Sequence, residues 1–101
     1  MTAYFIVRAE VDPDAREAFD RWYQEEHLPD AVAAFDAAGA SRGWSDTDEN
    51  VHVAFYEFAD LAAVNRVMGS DALKGMIAEF DRHWSGKVTR SRDVVELIQT
   101  I

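Results

Sequence analysis

The sequence predicts an α+β domain: a four-stranded antiparallel sheet that carries its helices on one face. Three observations lead there. Thr2–Val11 and Val51–Phe58 alternate with the period of a β-strand. Two other stretches repeat apolar residues at spacings of three and four, as helices do. Turn and cap residues separate these stretches from one another.

The elements follow in order. Thr2–Val11 puts Phe5, Val7, Ala9 and Val11 on one face and Tyr4, Ile6, Arg8 and Glu10 on the other. Asp12-Pro13-Asp14 ends this strand and starts a helix: Asp12 caps, Pro13 suits the first turn, and Asp14 faces the positive helix end. The helix gathers Phe19, Trp22, Tyr23, Glu26 and His27 on one side. Pro29 has no N–H and disfavours helical geometry at Leu28, which predicts a break or kink there. A second piece, Asp30–Ala38, stops at Gly39.

Ala40–Ser45 reads as a short strand, Asp46–Asn50 as a solvated turn, and Val51–Phe58 as the strongest strand of the chain. Asp60 caps a helix carrying Leu61, Val64, Val67 and Met68. Gly69-Ser70-Asp71 interrupts it and caps another piece, whose stripe Leu73, Ile77, Phe80, Trp84 is core packing. Gly86 ends that piece, and Lys87–Ile101 reads as a last strand bulged around Arg90–Asp93. The order β-α-β-β-α-β is the split βαβ, or ferredoxin-like, arrangement in a single domain spanning 1–101, with the first and third strands in the centre.

Two helices cover only one face of such a sheet. Phe5, Val7, Ala9 and Val11, with Val51, Val53 and Phe55, are the expected helix side. The other face then holds Tyr4, Ile6, His52, Ala54, Tyr56 and Phe58, with Trp44 opposite His52 and Arg42 opposite Ala54. A solvated face alternates with polar residues, and this one does not. It predicts a homodimer formed sheet against sheet.

Composition narrows the functions. The net charge is −9, from 19 acidic against 10 basic side chains. That speaks against nucleic-acid or anionic-membrane partners, which require a basic patch. A small anionic ligand stays open, because one local arginine outweighs a distant, screened surface charge. With no cysteine there is no disulfide, thiolate or Cys-ligated zinc chemistry. The early charge in MTAYFIVRAE and the lack of a long apolar run lead to the expectation of a soluble cytoplasmic protein.

Phe19 followed by Trp22-Tyr23-Gln24-Glu25-Glu26-His27-Leu28-Pro29 resembles the aromatic-aromatic-x-x-Glu-His-x-Pro signature of EthD-like proteins of the dimeric α+β barrel superfamily. The resemblance implies the ferredoxin-like fold and the dimer. It implies no one reaction, since the superfamily includes isomerases, cofactor-free monooxygenases, polyketide cyclases and haem-degrading proteins. Plant-type cyclases carry histidines at the break in the second helix; Met68–Leu73 has none.

The candidate site residues each have two readings. His27 is a general acid or base, or a cap on the carbonyls freed by Pro29. Glu26 orients a partner, or bonds the Trp22 indole one turn away. Tyr23 lies one turn from His27 and would orient a substrate, with Trp22 and Phe55 as walls of a sheet–helix pocket. Arg42 and Trp44 grip a carboxylate or planar ring, or form an interface ion pair. His52 reads as a packed dimer residue and His83 as a helix-end charge. No metal-ligand spacing and no nucleotide-binding glycine pattern occurs, so no metal and no cofactor is expected. Two functions follow. One is a small cofactor-free enzyme of isomerase, cyclase or monooxygenase type, acting on an apolar or aromatic metabolite. The other is a non-enzymatic dimeric binding or accessory protein.

Overall fold

A computed structural model describes residues 1–101. Its elements are β1 (Ala3–Val11), a 3-10 turn (Pro13–Ala15), α1 (Arg16–Trp22), a π-helical turn (Tyr23–His27) and α2 (Leu28–Phe35). There follow β2 (Gly39–Trp44), β3 (Val51–Phe58), α3 (Leu61–Met68), α4 (Asp71–Trp84) and β4 (Val88–Glu96). The sheet runs β2-β3-β1-β4, all antiparallel, so β1 and β3 are central as expected. No helix is long and apolar enough to cross a membrane.

The caps act where the sequence puts them. Asp60 accepts from the N–H of Ala63, and Ser70 from that of Leu73, starting α3 and α4. Gly86 adopts φ +84°, a left-handed conformation that a residue without Cβ reaches freely, and turns the chain into β4. β4 pairs with β1 one residue for one from Val88 to Glu96, so the expected bulge around Arg90–Asp93 is absent. The regular strand ends at Glu96, short of Ile101.

The first helix differs from expectation. No break occurs at Pro29: helix runs from Arg16 to Phe35, with one wide turn at Tyr23–His27. Pro29 cannot bond the carbonyl four residues back, and its ring would press on it. The widened turn preceding it relieves this clash: Leu28 N–H bonds the carbonyl of Tyr23, five residues back. Asp36, in the left-handed conformation at φ 51°, ends the helix, and Gly39 already belongs to β2.

The register of β2 with β3 is as expected, Trp44 facing His52 and Arg42 facing Ala54. The sidedness of β3 is the reverse of expectation. Phe5 pairs with Tyr56, Val7 with Ala54 and Ala9 with His52, so those β3 residues share the helix face. Tyr56 stacks on Phe5, and His52 lies against Phe19 of α1. Val53, Phe55 and Glu57 point the other way, and Arg42 and Trp44 follow His52 and Ala54 under the helices. Pairing with β1 sets this phase, and it also keeps the Glu57 carboxylate off the helix side, on the face where it accepts a bond from the Tyr4 hydroxyl at 3.0 Å.

Phe19, fully buried, is the hub of the layer between sheet and helices. Its ring centroid lies 5.2–6.3 Å from those of Trp22, Tyr23, Trp44, His52, Phe80 and Trp84. Phe19→Ala therefore opens a cavity walled by rigid rings. The expected loss is about 3–5 kcal/mol, read from urea unfolding midpoints; a loss below about 1 kcal/mol would mean the layer collapses around the gap.

Candidate functional site

The wide turn sets the site. A turn that bonds residue i to i+5 holds more residues than an ordinary one, and side chains five apart can come into line. Trp22 accordingly stacks on His27, with ring centroids 4.4 Å apart and planes 20° apart. Glu26, which regular helix would place over Trp22, turns out to solvent. The expected Glu26–indole bond is absent, and Trp22 Nε1 is buried without a partner. Tyr23 and His27 stay together, ring edge to face at 4.8 Å.

Both point into a cleft between sheet and helices. Its apolar wall comes from Phe5 and Val7 of β1, Phe35 of α2, and Leu73, Met76, Ile77 and Phe80 of α4. Its polar groups are Tyr23, His27, Tyr56, Arg90 and Arg92. The cavity is narrow, about 30 Å³.

His27 is 6 % exposed, and its Nδ1 is buried with no hydrogen-bond partner. It caps no carbonyl through that atom. Burial lowers its pKa to about 4, helped by the positive charge of Arg90, so the ring is neutral at pH 7. The hydroxyls of Tyr23 and Tyr56 lie 3.0 Å apart. Burial raises both pKa values, that of Tyr23 to about 12, so both carry protons. One O–H bonds the other oxygen, which leaves one proton free to donate elsewhere. Arg90 lies 3.9 Å over the Phe80 ring and 3.1 Å from Asp81. Burial and the like charge of Arg92 lower its pKa. Arg92 makes no ion pair and is exposed at the rim.

A second polar cluster lies outside the cleft. Asp20 of α1 accepts from Arg42 and from the Trp44 indole, each at 2.8 Å. These two donors lower the Asp20 pKa. Arg42 also donates to His52 Nε2 at 3.3 Å. Because arginine can only donate, that nitrogen accepts and His52 is neutral. Its pKa too falls to about 4, first by burial and then by Arg42. This cluster ties α1 to the edge of the sheet.

Of the residues expected at the site, His27 and Tyr23 meet in the cleft. Trp22 stands behind His27 and does not line the cavity. Arg42 and Trp44 pair with Asp20 of their own chain, because β3 and β2 present the opposite face from that expected. Phe55, 39 % exposed, lies on the uncovered face and is no pocket wall. Tyr56, Arg90 and Arg92 were missed. Register with β1 would have found the arginines, since Arg90 and Arg92 face Ala9 and Val7 on the helix side. No group of three or more histidine, aspartate or glutamate side chains is placed to hold a metal.

The chain is thus a ferredoxin-like α+β domain with a polar-lined cleft between its layers. No protein-family model matches it, and no curated protein matches it significantly. Solved structures do. An EthD family protein from Bacillus halodurans C-125 superposes with a TM-score of 0.73 at 16% identity, over 97% of this chain and all of the other. HapK from Hahella chejuensis gives 0.70 at 16% identity, over 97% and 94% of the two chains. SnoaB, a cofactor-independent oxygenase from Streptomyces nogalater, gives 0.62 at 16% identity, over 99% and 96%. At these identities the likeness is one of fold, the fold that the Trp22–Pro29 resemblance implied.

The two buried histidines make stability depend on pH. In the unfolded chain they titrate near 6.5, in the fold near 4. Between these values the unfolded state binds more protons. Stability is therefore full above pH 6.5 and falls as pH drops toward 4, by at most about 1.4 kcal/mol per unit for each histidine. Urea midpoints at pH 7.0 and 4.5 measure the fall, and His27→Phe, which keeps a ring in place, removes one contribution. Equal midpoints at both pH values would mean that the histidines charge freely within the fold.

Proposed function

We propose that this protein binds an apolar or aromatic small molecule in the cleft between sheet and helices and acts on it without a cofactor, by isomerase, cyclase or monooxygenase-type chemistry. The observation that carries this reading is the unpartnered, buried, neutral His27 beside the Tyr23–Tyr56 hydroxyl pair in an apolar cavity. A neutral imidazole accepts a proton from an activated carbon or hydroxyl. The free tyrosine O–H then donates to the oxygen where negative charge gathers. The wide helical turn supports the reading, because π turns gather at functional sites. SnoaB, described as a cofactor-independent oxygenase, has the same fold. Glu26, facing solvent, has no part in this chemistry.

Access requires movement. About 30 Å³ holds a water or two, well below the few hundred Å³ of ordinary ligand pockets. The flexible Met76 and the half-buried Ile77 on α4 are the groups to yield. The same narrowness favours the second reading, a non-enzymatic binding or accessory protein with a packed cleft.

A homodimer goes with either reading. The face opposite the helices carries Tyr4, Ile6, Val53, Phe55 and Val95 at its apolar centre. Arg8, Glu10, Glu57 and Asp93 surround them, the arrangement of a protein interface. The aromatic residues Trp44 and Tyr56 lie under the helices, so the dimer rests on this smaller patch. Sedimentation at micromolar concentration is expected to give a dimer, and Phe55→Glu a folded monomer; a parent protein that sediments as a monomer removes the dimer from the proposal.

Mass spectrometry of molecules that copurify with the native protein tests the binding. His27→Phe and Tyr56→Phe keep the ring packing and remove only the polar atoms. Both are expected to lose the bound molecule, or turnover of it, at least about ten-fold, the value of one charge-free hydrogen bond in a dry site. Variants that keep the molecule and differ only in melting temperature would assign these residues to structure.

A further inference from the structure

We propose that the cleft selects a planar, largely apolar molecule that carries a carboxylate, held by Arg92 and Arg90 with the ring among Phe5, Ile77 and Phe80. This rests on the preceding reading of the cleft as a ligand site and adds the chemical class of the ligand.

The chain has 19 carboxylate side chains against 10 cationic ones. Four of the eight arginines pair with a carboxylate, and Arg92 is among the four that do not; what sets it apart is its place. It stands two residues from Arg90 on the same face of β4, and both line the same apolar cavity. Two like charges beside a low-dielectric cleft repel each other, and burial together with this repulsion lowers the Arg90 pKa. A bound anion removes the conflict; a neutral ligand leaves it in place.

Geometry narrows the anion. Arg90 is held by its stacking on Phe80 and by its ion pair with Asp81. Its remaining N–H donors and the whole of Arg92 are available, and paired N–H donors match the two oxygens of a carboxylate. The anion belongs at the rim, where Arg92 is exposed, and the apolar body belongs deeper, against the aromatic wall. His27, with its unpartnered Nδ1, and the free tyrosine O–H then meet polar atoms of the ligand that neighbour the carboxylate.

The test is a two-dimensional NMR titration of the isotopically labelled protein with benzoate and, separately, with neutral benzamide. Benzoate is expected to shift the Nε–H signals of Arg90 and Arg92 and the ring signals of His27, and to bind at least about ten-fold more tightly than benzamide. Arg92→Gln, at an exposed position, is expected to bring the two within about two-fold of each other. Arg90→Lys, which keeps a charge at the more buried position, weakens benzoate less than Arg92→Gln does. If both ligands bind the cleft equally, or if the preference for benzoate survives Arg92→Gln, the carboxylate inference is wrong while the cleft stands as a site. If neither ligand moves any cleft signal, or benzoate moves only signals around Lys74 and Lys87, the reading of the cleft as a ligand site falls and takes this proposal with it.

Discussion

The wide turn at Tyr23–His27 is the constraint on which the rest of the site depends. Pro29 sits inside a helix that must continue, because α1 and α2 together cover the sheet. An ordinary turn would set the proline ring against the Glu25 carbonyl. Widening the turn keeps the helix whole and rotates its side chains. Trp22 comes to lie behind His27, Tyr23 and His27 enter the cleft, and Glu26 leaves it. One residue without an N–H thereby decides which of two neighbouring ionisable groups is buried.

The polar groups under the helices fall into two sets with different physical character. Around Asp20, Arg42 and Trp44 converge on one carboxylate and Arg42 also satisfies His52, while Arg16, stacked over Trp44, keeps one buried nitrogen without a partner. The bonds to Asp20 fix the position of α1 on the sheet edge. In the cleft, His27 Nδ1 has no partner, one tyrosine proton is spare, and two arginines share a rim with a single carboxylate between them. Natural folds tolerate such local conflicts chiefly where a ligand resolves them. What marks the cleft as the candidate site is that its unpaired groups line a cavity with an apolar wall, since both sets contain a histidine, an arginine and aromatic rings.

Much of the fold was legible because local signals and long-range pairing agree. Asp60 and Ser70 cap the helices that they precede, and Val51–Phe58 is a strand over its full predicted length. At Pro29 the local signal was read correctly as unfavourable to ordinary helix. Its resolution was not legible, because a π turn and a break are both local answers to one missing donor, and packing against the sheet chose between them. The candidate site was half legible. His27 and Tyr23 stand out by type and spacing, whereas Tyr56, Arg90 and Arg92 come from other strands, and only their pairing with β1 brings them to the same cleft.

The sequence by itself determined the order of elements, the central position of β1 and β3, and the β2–β3 register, and it singled out His27 and Tyr23 as candidates. Tertiary structure alone decided which side of β3 is buried. Val53 and Phe55 are as apolar as Ala54 and Tyr56, so alternation has two phases of nearly equal hydrophobic content, and a shift of phase exchanges the faces. What breaks the tie is the neighbour: Phe5, Val7 and Ala9 of β1 bring Tyr56, Ala54 and His52 to the helix side, and Glu57 goes out with Phe55. The same pairing takes Arg42 and Trp44 from the expected interface to Asp20, and brings Arg90 and Arg92 to the cleft.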